Sequence, residues 1–115
     1  MDITGTRLLP RYELDFPVPV YLCHGSRPIA KGVIRDISSK GAKISGLEAK
    51  VGEIKTFIVP TNNFSHVEPF AFQAECRWVD GDGSTAGFQI IKISTRGWGE
   101  LQKLIRFLTL RDDLI

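Results

Sequence analysis

The clearest period-two run of the chain spans Phe70 to Val79. Phe70, Phe72, Ala74, Cys76 and Trp78 fall on one face, and Ala71, Gln73, Glu75, Arg77 and Val79 on the other, the period-two signature of a half-buried strand. Asp80-Gly81-Asp82-Gly83-Ser84 follows as a hairpin loop, since two glycines among short polar residues suit only a turn. Thr85–Ile93 is the predicted return strand, with a register shift where Ile90 and Ile91 stand side by side. Upstream, residues 17–23 are predicted as an edge strand, because Pro17 and Pro19 would break the ladder of a central one. His24 to Pro28 form a turn, and residues 29–35 the next strand, in which Gly32 marks a bulge or a close backbone approach. Residues 42–47 and 53–59 complete the set; in the latter Ile54, Thr56 and Ile58 oppose Lys55, Phe57 and Val59. Residues 60–69 form a polar loop with Asn62, Asn63 and His66.

Past Ser94 the period changes. Trp98, Leu101, Leu104, Ile105 and Leu108 recur at helical spacing, and Ser94 or Thr95 is a plausible N-cap. Gly97 and Gly99 weaken the first turn. The stripe is expected to pack on the strands, with Phe107 and Leu110 off it as a contact for a partner. Six strands and one helix predict an all-β fold: a six-stranded antiparallel β-barrel with a C-terminal α-helix. The single domain divides into an arm over residues 1–12, a barrel over 13–94 and a helix over 95–111.

Composition narrows the function classes. At 115 residues, 43% hydrophobic and 24% charged, the chain suits one domain with one core. A formal charge of +2 is too slight for a surface-wide nucleic-acid footprint. Single-stranded nucleic acid would need Phe70, Phe72 and Trp78 exposed for stacking, and their alternation with polar residues points inward instead. No nucleic acid polymer is expected as a partner. The first ten residues lack the apolar core of a signal peptide, and no run reaches membrane-spanning length. A cytoplasmic domain without membrane insertion is expected, with Cys23 and Cys76 as free, packed thiols.

Cys23, His24, His66 and Cys76 include no pair at metal-ligand spacing except an adjacent one, so no metal site is assigned. No Ser–His–Asp or Cys–His arrangement and no phosphate-cradling glycine loop before a helix is found. No catalytic residue is assigned, and no enzyme or cofactor is expected.

Two short constellations carry the candidate chemistry. Asp36-Ile37-Ser38-Ser39-Lys40-Gly41 is a polar link between two strands, supplying a carboxylate, a hydroxyl and a glycine able to take φ > 0. Arg7 and Arg11 stand four apart in the arm, and Pro10 disfavours a helix there. The 25 residues from Arg11 to Asp36 are one strand out and one back, so a hairpin returns the turn near the arginines at the barrel mouth. A guanidinium fork beside a carboxylate–hydroxyl turn suits a ligand with phosphates and purine edges. Arg35, next to the turn, is either a second-tier phosphate contact or a solvated strand position. Trp78 is either the end of a core face, the commoner role, or a stacking platform for a base.

Arg7-x-x-x-Arg11 followed by Asp36-x-Ser38-x-x-Gly41 resembles the PilZ domain signature, RxxxR and then (D/N)xSxxG. The resemblance extends to Val33 through Ala42, to Cys76-Arg77-Trp78-Val79, to Ala86-Gly87-Phe88-Gln89 and to the amphipathic tail. It implies a six-stranded barrel that binds the bacterial second messenger cyclic di-GMP and signals to a downstream protein partner. Arg7 and Arg11 would grip phosphates and stack on guanine. Asp36 would accept from a guanine N–H edge, Ser38 would bond the ligand or brace the turn, and Gly41 would let the backbone approach. The family often carries extra basic residues where this chain has Thr6, Leu8 and Leu9. The alternative within the same fold is a ligand-free interaction adaptor.

Overall fold

The protein is described by a computed structural model that covers residues 12–61 and 66–113, with side chains described for 18–61 and 66–108. Arg7 and Arg11, the arm before Tyr12, and Asn62 and Asn63 lie outside the described residues, as does the side chain of Leu110. Among the described residues, six strands precede one helix: β1 (Tyr12–His24), β2 (Arg27–Ile37), β3 (Gly41–Ser45), β4 (Ile54–Val59), β5 (Phe70–Val79), β6 (Thr85–Ile93) and α1 (Thr95–Asp113). They close into an antiparallel barrel in the order β1-β2-β3-β6-β5-β4.

Closure overturns the reading of the first strand as an edge. Tyr21, Leu22 and Cys23 of β1 pair with Ile58, Phe57 and Thr56 of β4 as well as with β2. The prolines are tolerated because they precede this doubly paired stretch. Pro19 stands opposite Val33 of β2, and the β4 ladder starts only at Tyr21, so no second ladder calls on the missing N–H.

The alternation of β5 fills the barrel. Phe70, Phe72, Ala74 and Cys76 are all buried, and Phe72 meets Phe57 with ring centroids 5.5 Å apart. Phe57 also meets Phe88 edge-on at 5.0 Å. Burying each such ring stabilises the fold by roughly 1.5–3 kcal/mol. In β4 the inward face is Phe57 and Val59, while Ile54 is exposed. The register does shift at the Ile90-Ile91 pair: Ala74 faces Ile90 and Gln73 faces Lys92, leaving Ile91 as the extra residue. Gly32 is a close approach, since a Cβ there would stand 2.9 Å from both Leu47 Cγ and the Ser45 carbonyl oxygen.

α1 closes one end. The Gly97 amide donates to Ser94 Oγ at 2.9 Å, so Ser94 is the N-cap. Leu101, Leu104 and Leu108 enter the core, whereas Trp98 is 43% exposed. The packing stripe is therefore narrower than its spacing predicts, and Trp98 is not part of it. Phe107 is half-buried against the core. The loop before β5 is tied to the helix: the Glu68 amide donates to Glu100 Oε1 at 2.8 Å, and Arg96 donates to the Pro69 carbonyl at 2.9 Å. Both cysteines are buried and free, and burial pushes both thiols above their ordinary range.

Candidate functional site

The Asp36–Gly41 link is shorter than its sequence suggests. Asp36 and Ile37 still belong to β2, and only Ser38, Ser39 and Lys40 connect it to β3. Ser38 organises the connection. Its Oγ accepts from the Lys40 and Gly41 amides, each at 3.2 Å, and its own amide donates to the Gly41 carbonyl at 2.8 Å. Ser38 is buried and holds this geometry as a side-chain mimic of a backbone turn.

Gly41 serves a different purpose from the one its motif suggests. It is not among the glycines with positive φ, so the expectation of a left-handed turn there is corrected. A Cβ on Gly41 would strike the Phe88 carbonyl oxygen of β6. The residue is glycine because β6 passes too close for any side chain.

Two bulges shape the outer wall. In β2, Ile34 faces Ile44 and Asp36 faces Lys43, which leaves Arg35 as an extra residue. In β5, Cys76 faces Phe88 and Trp78 faces Gly87, which leaves Arg77 as an extra residue. Each bulge turns two consecutive residues outward where simple alternation allows one. The first exposes Arg35 and sets Asp36 on the outer side but covered, and the second exposes Arg77 and Trp78. This corrects the reading of Trp78 as the inward end of its strand face: it is 40% exposed, while Cys76 before it is fully buried.

Strand register then aligns the two bulges. Asp36 pairs with Lys43, Lys43 with Gly87, and Gly87 with Trp78. This row crosses β2, β3, β6 and β5, a span of about 14 Å at the usual strand spacing. Asp36 is 5% exposed, and Lys43 Nζ lies 3.5 Å from its Oδ2. The Trp78 indole fills the space left by the missing side chain of Gly87. Arg35 Nε donates to Ser45 Oγ at 2.9 Å, and Arg77 donates to the Gln89 side-chain oxygen. Gln89 stands opposite Gly41. The site is thus on the outer wall of the barrel and not in its mouth. It combines a buried acceptor, cations and one aromatic face.

Asp36, Ser38, Gly41, Arg35 and Trp78 are brought to one region. Arg7 and Arg11 lie outside the described residues, but the chain that follows them is placed: Tyr12 pairs with Ile37, and Glu13 with Asp36. Lys43, Gly87 and Gln89 were not singled out from the sequence. The alternation of Ala42 and Ile44 with Lys43 and Ser45 does signal that Lys43 faces out, but its nearness to Asp36 depends on the bulge at Arg35.

Comparison with the curated proteins gives no match. Among solved structures, the chain is similar to YcgR of Escherichia coli in complex with c-di-GMP, with 16% identity and a TM-score of 0.75 over 94% of this chain and 48% of that one. It is similar to the isolated PilZ domain of the same protein with c-di-GMP, with 18% identity and a TM-score of 0.68 over 93% of this chain and 94% of that one. It also resembles the Bacillus subtilis inhibitor of motility MotI/DgrA, with 19% identity and a TM-score of 0.66 over 93% of this chain and 51% of that one. The chain spans about half the length of MotI/DgrA and of the longer YcgR chain. The PilZ domain profile matches residues 6–109. Signature turn, closed six-stranded barrel and profile agree along nearly the whole sequence, and the chain belongs to the PilZ domain family.

Proposed function

We propose that this domain is a non-catalytic receptor for cyclic di-GMP in the bacterial cytoplasm. The observation that carries the reading is the place of Asp36: a buried carboxylate on the outer wall, directly across from Glu13, two residues past the RxxxR segment. Family membership and the structural similarity to two c-di-GMP complexes support it. Asp36 accepts from the N–H edge of a guanine, and Trp78 offers a face for stacking. Arg7 and Arg11 pair with the phosphates through charge-assisted bonds, which exceed neutral ones in strength. Arg35, already held by Ser45, adds positive charge beside the turn. Ser38 and Gly41 act indirectly, by fixing the turn and letting β3 approach β6.

Binding draws the segment that carries Arg7 and Arg11 onto the wall, and the changed surface is read by a protein partner. Calorimetric titration of the folded domain with cyclic di-GMP tests the reading; absence of heat removes it. A ligand-free adaptor of the same fold is the competing reading, favoured by the exposed Trp98 on α1. An adaptor shows no shift of melting temperature with any nucleotide.

A further inference from the structure

The bulge in β5 presents a guanidinium that neither signature motif includes. Arg77 is the extra residue between Cys76 and Trp78, and it is exposed. Its Nη1 donates to the side-chain oxygen of Gln89, itself exposed and directly across from Gly41. The Arg77 fork therefore hangs over β6 on the same wall as Asp36, which lies two strands away and on the neighbouring row. At ordinary strand spacing and rise, Gln89 and Asp36 stand about 12 Å apart along the wall. A purine with a hydrogen bond at each edge fits that gap.

Guanine carries opposite chemistry on its two edges. N1–H and the exocyclic amine are donors, which a carboxylate can take. O6 and N7 are acceptors, which a carboxylate cannot take and a guanidinium fork matches in two parallel bonds. Asp36 supplies the first kind of partner and Arg77 the second. We propose that Arg77 is a base-reading residue of this site, exchanging Gln89 for the O6 and N7 acceptors of a guanine held by Asp36. The assignment rests on the receptor reading above. It adds a discriminator to it: adenine presents an amine donor where guanine presents O6, and a guanidinium cannot accept from it.

The test pairs a protein change with a single-atom change in the ligand. Affinities of wild type, Arg77→Met and Arg77→Lys are measured by calorimetry for cyclic di-GMP and for its 7-deazaguanine analogue, which lacks the N7 acceptor. Wild type is expected to bind the analogue roughly tenfold more weakly than the parent, the scale of one good base contact. Arg77→Met is expected to bind the two ligands equally, since methionine has no donor, while Arg77→Lys, whose ammonium still donates to N7 but without the fork, is expected to keep part of the difference. The ratio within one variant is read, so a modest loss of folded protein does not mimic the result. If wild type is indifferent to N7, or if Arg77→Met remains as sensitive as wild type, Arg77 does not read the base and the receptor reading stands without it. If wild type binds neither ligand, both proposals fall.

Discussion

Trp78 lies over Gly87, with its indole in the volume that a side chain at position 87 would occupy. The two residues are direct partners across β5 and β6. Gly87 is buried beneath the ring although it faces outward, so the glycine seats the aromatic face at the end of the row that begins at Asp36.

Gly87→Ala follows directly from this relationship. The clash is with a side chain and not with backbone, so the ring swings away and the fold survives, with a stability loss of about 1 kcal/mol. In a Trp98→Phe background Trp78 is the sole tryptophan, and its emission is expected to shift to the red. Affinity for cyclic di-GMP should fall roughly tenfold, as expected for losing a base–aromatic stack. Unchanged emission would show that the ring is not held by the glycine.

Gly41→Ala makes a contrasting case. Here the added Cβ meets the Phe88 carbonyl oxygen, and that backbone is fixed by the ladder between β3 and β6. Overpacking against backbone is expected to destabilise the domain by about 1–3 kcal/mol, read as a lower urea midpoint with an unchanged slope. A φ-based need for glycine would instead be met by asparagine, so Gly41→Asn should be no better tolerated than alanine.

Arg7→Ala and Arg11→Ala are each expected to abolish cyclic di-GMP binding in calorimetry while the melting temperature stays almost unchanged, because the proposed function gives them phosphate pairing and not packing. A large drop in melting temperature would assign them to the fold.

Glu100 links the loop before β5 to α1 and gives the fold an acid dependence. The Glu68 amide, and secondarily Lys103, hold its carboxyl below the ordinary carboxylate range. The folded state thus prefers the ionised form. The contribution is fully present above the unfolded carboxylate value and is lost as pH falls through the lowered folded value. Melting temperature measured from pH 6 down to pH 3 should decline in wild type and decline less steeply in Glu100→Gln, whose stability at pH 6 is already reduced.

The period-two run of β5, the DGDGS hairpin, the helical period after Ser94 and the two short motifs were legible in the sequence because each is a local pattern. Strand periodicity reports which face is apolar, and Phe70 through Cys76 obey it. It fails at Trp78 because a bulge inserts one residue, and a bulge is defined by the partner strand, which the sequence of β5 does not contain. The same holds for Pro19, whose missing donor says that one ladder is absent there but not that the barrel closes further along at Tyr21. Gly41 and Gly87 show the point most clearly: both are glycine because of what crosses above them, a carbonyl of β6 in one case and an indole from β5 in the other. Local patterns along the chain specify the elements and the chemistry they carry. That Asp36, Lys43, Gly87 and Trp78 share a row follows from the barrel's pairing, because Lys43 meets Gly87 across the β3–β6 ladder, 44 positions along the chain, and each bulge exists only against its partner strand.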